Sequence, residues 1–245
     1  MNHMIVENTM ETLYLVMPAY NEAENIKVVV EEWYSLLERF GGEDSRLVIA
    51  DNGSTDDTHD ILLKLQEKYP HLLILEDTLK QHGPKVIALY DYAIKNGADF
   101  IFQTDSDGQT VPEEFREFWE MRNQYDAVIG NRIIRGDGGG RKLIEDVACA
   151  LLRIFFGVKL QDANAPFRLM KADMVKKYLI RLPYDYSIPN IMLTTYFMYY
   201  RENLIFKEIT FKPRMSGENS INIANIIKIG WNALYDFSKF RKEMK

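Results

Sequence analysis

The sequence predicts an α/β fold: a single, mostly parallel twisted sheet with helices on both faces and a smaller C-terminal subregion. Three observations predict it. Short β-type apolar runs alternate with helical periodicity from residue 13 to about residue 130, the pattern of βαβ units. The 245 residues lie near the upper size for one core. Hydrophobic residues make up 47% of the chain, enough to fill that core. We therefore expect one domain over 11–245 after a tail at 1–10, with its first half ending near 135.

The elements follow in order. Residues 13–17 form a strand that Pro18 stops. Asn21 and Glu24 have capping-box spacing, and Ile26, Val29, Val30, Trp33, Leu36 and Leu37 recur at helical spacing. A second strand, 47–50, delivers Asp51 to Asp57 into a turn, where Ser54 and Asp57 repeat the capping-box spacing. Ile61, Leu62 and Leu65 mark one face of a helix that ends by Pro70. A third strand spans 72–75. Pro84 sits in the first turn of a helix that runs to Asn96 and stops at Gly97. Residues 99–104 are a fourth strand, Pro112 opens a helix over 113–123, and 127–130 are a fifth strand. Gly136 to Gly140 then break the alternation as a mobile loop. The glycine spacing there is not the dinucleotide fingerprint, and a lid is the better reading. Beyond it come an apolar helix (143–156), helices at 172–180 and 189–201, a strand at 204–211 and a last helix from Ile223.

Net charge of −6 and a pI near 5.4 argue against nucleic acid as a partner. The single cysteine, Cys149, excludes an intramolecular disulfide, and its apolar neighbours suggest a buried thiol. That fits a reducing cytoplasm. No secretory signal opens the chain, and no apolar run reaches the roughly 18 residues of a spanning helix. The last helix mixes Ile226, Ile227, Ile229, Trp231, Leu234, Tyr235 and Phe237 with Lys228, Lys239, Arg241 and Lys242. Such a stripe suits either core packing or peripheral contact at the inner face of the cell membrane.

In a parallel sheet the loops 18–22, 51–57 and 105–109 meet beyond the carboxyl ends of their strands, where ligands bind. Glu22 and Asp51 can accept hydrogen bonds from a base or ribose, and Gly53 permits a sharp turn or a close backbone approach. Asp105 and Asp107 can together hold a hard divalent cation. Taken alone, Asp105 to Gly108 reads as a turn. The combined set suits a nucleotide diphosphate that leaves with its charge neutralised by a metal. Lys85, beside Gly83-Pro84 at a helix start, either meets a phosphate or is a solvated lysine.

Val16-Met17-Pro18-Ala19-Tyr20-Asn21-Glu22, then Asp51-Asn52-Gly53-Ser54-Thr55-Asp56-Asp57-Thr58, then Asp105-Ser106-Asp107 resemble family 2 glycosyltransferases of the GT-A fold. The subtype they look most like is the dolichol-phosphate mannose synthase-like, or polyprenyl-phosphate, glycosyltransferases, over about 13–220. The resemblance implies a Rossmann-like sheet, with a nucleotide-sugar half at 11–135 and an acceptor half at 136–245. It implies a UDP- or GDP-linked sugar, a polyprenyl phosphate or glycan acceptor, and Mg²⁺ or Mn²⁺. It puts Pro18, Tyr20, Glu22 and Asp51 at the base and ribose, and Asp105 and Asp107 at the metal and diphosphate. Gln109 matches a third metal ligand. The family carries Asp where this chain has Asn52.

In the second half, residues 162–169 resemble the family's Asp-rich turn ending in Phe-Arg-Leu. Arg132 and Arg168 can present planar forks to phosphate oxygens, with ion pairing as the alternative. Arg168 has apolar flanks that make an unpaired guanidinium costly. Arg214 to Ser220 resemble the signature that closes over the diphosphate or acceptor. Many relatives carry an acid where this chain reads Ile188-Pro189-Asn190, and Asp185 lies five residues before Asn190. A phosphate acceptor is already anionic and needs no general base, whereas a hydroxyl acceptor would call on Asp185. The expected reaction is inverting, metal-dependent sugar transfer. Nucleotidyl transfer lacks its basic Gly-rich signature near the N-terminus, and a non-catalytic nucleotide-binding module has Asn52 and the missing base in its favour.

Overall fold

The structure, a computed structural model, describes residues 11–135, 139–213 and 223–244. Its centre is β1 (Leu13–Ala19), buried along its whole length. Parallel neighbours flank it on both sides, β2 (Arg46–Asp51) and β4 (Phe100–Gln103), and β3 (Leu72–Leu75) extends the sheet beyond β2. On the other side β6 (Arg168–Lys171) runs antiparallel to both β4 and β5 (Ala127–Arg135), and β7 (Leu204–Phe211) closes the sheet parallel to β5. The order is β3-β2-β1-β4-β6-β5-β7. Because the chain leaves β1 towards one side and returns at β4 on the other, a crevice opens at the carboxyl ends of β1, β2 and β4.

Period-two alternation sends the two halves of each strand's side chains to opposite faces. Leu13, Leu15 and Met17 pack with α1 (Ile26–Phe40), α2 (Thr58–Lys68) and α4 (Phe115–Met121). Tyr14 and Val16 pack with α3 (His82–Lys95), α5 (Gly139–Phe156), α6 (Ala172–Leu179), α7 (Pro189–Tyr199) and α8 (Ile223–Glu243). Both faces are therefore covered, as a parallel sheet requires. Under β4, Trp33 stacks on Phe102 at 5.2 Å and meets Phe167 at 5.9 Å. Such pairs add about 0.5–1.5 kcal/mol each beyond burial, and here they pin the residue before β6 to the floor of the crevice.

The structure corrects several expectations. The sequence pattern gives no strand at β6, which has only four residues and charged ends; its place between β4 and β5 is set by pairing with both. Pro18 does not stop β1. Its carbonyl accepts from Ser106 Oγ, so its nitrogen faces the same side, where β4 has already turned away and no ladder N–H is missed. Neither capping box forms. Helix α1 starts at Ile26 after Asn25, α2 after Asp57, and neither cap residue makes a side-chain cap bond. The fifth strand is longer than expected, because β7 pairs along it to Arg135 with an irregularity between Arg132 and Ile134. Gly139 and Gly140 belong to α5 rather than to a loop. Cys149 is half-buried, and burial pushes its thiol up to about 12.

Candidate functional site

Side-chain hydrogen bonds bind the crevice loops into one surface. Ser106 Oγ donates to the Pro18 carbonyl at 2.8 Å, joining the β4 loop to β1. Asn21, held at φ 54°, donates its backbone N–H to Ser54 Oγ (3.1 Å) and accepts at its side-chain oxygen from the Thr55 N–H (2.7 Å). Glu22 donates its N–H to Thr58 Oγ1 (2.8 Å), and its carboxylate accepts from Asn25 Nδ2 (2.8 Å). Residues expected to cap helices thus join β1 to β2 instead. Asp56 does the same: burial would raise its carboxyl, but hydrogen bonds from Thr58 and Ala23 outweigh that and hold it below the ordinary value.

Asp51 is buried at the end of β2 and accepts from Ser54 Oγ and from His59 Nδ1 (3.1 Å). The other nitrogen of His59 lies 3.5 Å from Glu76. Gly53 has φ 86°, and a Cβ there would come within 2.9 Å of the Lys80 side chain. The positive φ is what favours glycine here, since the exposed Lys80 side chain can move aside. Tyr20 stays about half exposed, with its ring 5.5 Å from Lys85 Nζ. Lys85 is not solvated. Only 1% exposed, it donates to the Ala19 carbonyl at 2.6 Å, and burial holds its ammonium below the ordinary value although Asp51 acts the other way.

Asp105 follows β4 at the crevice mouth. Its Oδ1 accepts from His82 Nε2 and Gln103 Nε2, each at 3.2 Å. Asp107 Oδ1 accepts the Gln109 N–H at 3.1 Å. Gln109 is buried, and its Nε2 donates to the Lys212 carbonyl (2.8 Å) just past β7, so its oxygen is the end left for a ligand role. Among the described residues no group of three or more His, Cys, Asp and Glu forms a self-sufficient metal cage. Two carboxylates and an amide oxygen instead match the hard-cation pattern in which substrate phosphates complete the shell. On that chemistry the residues fit Mg²⁺ or Mn²⁺.

The arginines behave differently. Arg132 lies inside β5, and its fork is engaged by Asp162, through Nε at 2.6 Å and Nη2 at 2.8 Å, with Glu145 at 3.6 Å. Arg168 is fully buried. It donates to the carbonyls of Ala165 (3.1 and 2.7 Å) and Asn190 (3.2 Å) and to Thr194 Oγ1 (3.3 Å). The expectation of a phosphate clamp at Arg168 is therefore corrected, because its donors are used beneath the loop before β6. Asp185 is exposed, and its negative charge is felt by Asp236 of α8. Its loop packs on α3: a Cβ on Gly83 would fall 2.4 Å from the Tyr186 and Ser187 carbonyls. Arg214 and the segment to Ser220 lie outside the described residues, as do residues 136–138 of the expected lid. His59, His82 and Gln103 were missed, although His82 adjoins the Gly83-Pro84-Lys85 stretch already singled out.

The sequence matches the family described as Glycosyl transferase family 2 over residues 14–179. It is 27% identical over 167 residues to undecaprenyl-phosphate mannosyltransferase of Micrococcus luteus, covering 66% of this chain and 67% of that one. It is 24% identical over 180 residues to polyprenol monophosphomannose synthase of Mycolicibacterium smegmatis, covering 70% and 66%. An undecaprenyl-phosphate 4-deoxy-4-formamido-L-arabinose transferase of Pectobacterium atrosepticum is 27% identical over 169 residues, or 67% and 50%. The matched segment spans half to two thirds of these relatives. Among solved structures, glucosyl-3-phosphoglycerate synthase from Mycobacterium tuberculosis, in complex with Mn²⁺, uridine-diphosphate-glucose and glycerol 3-phosphate, superposes with a TM-score of 0.65 at 15% identity. That match covers 94% of this chain and 80% of the other. The likeness is one of fold, the GT-A type.

Proposed function

Because the chain belongs to glycosyl transferase family 2, we propose that it moves one sugar from a nucleoside-diphosphate sugar to a polyprenyl phosphate, with Mg²⁺ or Mn²⁺. The observation that carries this reading is the pair Asp105 and Asp107 leaving β4 beside Pro18 in the crevice that also holds Tyr20, Asp51 and Lys85. The half-exposed Tyr20 ring offers a stacking face for a base. Glu22 and Asp51, the latter braced by Ser54 and His59, accept hydrogen bonds from base or ribose. Lys85 lends positive charge beneath them. Asp105, Asp107 and the Gln109 oxygen would hold the cation, which when bound offsets the charge of the departing diphosphate.

The acceptor side supports an anionic nucleophile. Asn190, at the place where many relatives carry an acid, is a buried amide bonded to Tyr90 and Gln103, and an amide takes no proton from an acceptor. The names of the polyprenyl-phosphate relatives agree with that chemistry. No described helix is long and apolar enough to cross a membrane. A lipid acceptor would instead be met at the inner membrane surface by the α5–α8 pair, whose outer side exposes Val147, Ile154 and Tyr235.

The deciding experiment supplies UDP- and GDP-linked sugars with polyprenyl phosphate vesicles, with Mn²⁺ or with chelator. Release of nucleoside diphosphate and a glycosylated lipid, lost on chelation, is the expected result. Pyrophosphate release would favour nucleotidyl transfer. Binding without turnover on lipid and glycan acceptors alike would favour a non-catalytic module, and glycan-only transfer would move the proton-accepting role to Asp185.

A further inference from the structure

We infer that a buried hydrogen-bonded chain, Tyr90 to Asn190 to Gln103, positions Asp105 and commits its Oδ2 to the cation; this rests on the reading of Asp105 as a metal ligand. The three residues come from α3, α7 and β4 and are at most 3% exposed. The Tyr90 hydroxyl lies 2.8 Å from Asn190 Oδ1, Asn190 Nδ2 is 2.9 Å from Gln103 Oε1, and Gln103 Nε2 is 3.2 Å from Asp105 Oδ1. Two amides in series can run in either direction, and the charge at one end chooses. An ionised carboxylate accepts only. Gln103 must therefore turn its NH₂ to Asp105, its oxygen must face the Asn190 NH₂, and the Asn190 oxygen must take the Tyr90 proton. Reversed, the chain would set the Gln103 oxygen against the Asp105 carboxylate and leave that buried amide oxygen without a donor.

The direction has a consequence at the crevice. Gln103 and His82 both donate to Oδ1, so the rotation of the carboxylate is fixed and Oδ2 is the oxygen presented to a cation. The chain is also anchored on the acceptor side. The Asn190 carbonyl accepts from Arg168 Nη1 and Thr194 Oγ1, and Arg168 grips the Ala165 carbonyl. Arg168 and Gln103 are direct partners across β4 and β6, so their side chains leave the same face of the sheet. Asn190 is thus a positioning residue that ties the loop before β6 to the metal ligand, in the place where a base would otherwise stand.

The test compares wild type, Tyr90→Phe and Asn190→Leu by calorimetric titration with UDP and GDP, each with Mn²⁺ and with chelator. The readout is the ratio of the two affinities, the increment due to metal, alongside circular dichroism for the fold. We expect Asn190→Leu to shrink that increment on the order of 10-fold or more, the size seen for groups that orient metal ligands. Tyr90→Phe should shrink it less, and affinity in chelator should hold in both. Tyr90→Phe, which removes one oxygen, carries the test if Asn190→Leu does not fold. A metal increment within about two-fold of wild type in the folded variants, even with a lowered melting temperature, overturns the proposal and leaves the chain a packing feature. Absence of any metal increment in wild type would sink the donor-site reading beneath it instead.

Discussion

The acids at the ends of β1, β2 and β4 and the arginines of β5 and β6 stand out equally in the sequence, yet they meet opposite fates. Asp105 and Asp107 emerge where parallel strands stop, so their side chains reach a crevice that the flanking helices cannot cover. Arg132 lies inside β5 and Arg168 opens β6 opposite Gln103, and both point into the protein, one to Asp162 and the other to backbone carbonyls. A residue's chemistry is the same in both settings. What the surrounding elements bring up to a side chain decides whether that chemistry lines the crevice or holds the protein together.

The sharpest way to break this contrast is at its crevice side. Asp107→Ala should lower metal-dependent transfer on the order of 10³-fold, the several kcal/mol a Lewis-acid site supplies, while circular dichroism and melting stay near wild type. Turnover that survives the change in chelator would remove the acids from the reaction. On the other side, Arg168→Met should cost stability by about 1–3 kcal/mol, because the Ala165 carbonyl loses both its Arg168 donors while the Asn190 carbonyl keeps Thr194. At roughly 2–4 °C per kcal/mol this is a clear fall in melting temperature. Nucleotide affinity in chelator should be unchanged.

Asp162→Asn removes the main countercharge of Arg132 but leaves Glu145 nearby, so a loss of about 2 kcal/mol is expected by denaturant titration. If Arg132 served the diphosphate, this change would free its fork, and nucleotide affinity would rise with stability intact. The smallest effect concerns Lys85. Its folded pKa lies below the ordinary 10.5, so the unfolded chain binds more protons between the two values and stability rises with pH there. Relative to Lys85→Met, wild type should gain stability across that alkaline window. Parallel curves would mean the lysine is solvated after all.

How much was legible follows the same line. The runs at 13–17, 47–50 and 72–75 declared β1, β2 and β3 through local pattern, and strand 204–211 was read to its exact bounds as β7. β6 was not legible, since four residues between two polar ends carry too little periodicity. Asp51 stood out because an acid straight after an apolar run has no packing explanation, and Asp105 because a second carboxylate follows it by two positions where a strand stops. His59 and His82 did not, because an isolated histidine at a helix start signals nothing until its partner is known. Gln103 looked like one polar break in a strand.

What the sequence determined by itself was which side chains each strand turns to which face, and that acids stand at three strand ends. Those are local properties, fixed by a period of two and by where apolar runs stop. Only the tertiary structure decided that Asn190 meets Gln103 across 87 positions of chain, and that Arg168 faces α7 rather than the crevice. The physical reason is register. β6 inserts antiparallel beside β4 and sets Arg168 opposite Gln103, an alignment that depends on distant segments packing together and that neither segment encodes alone.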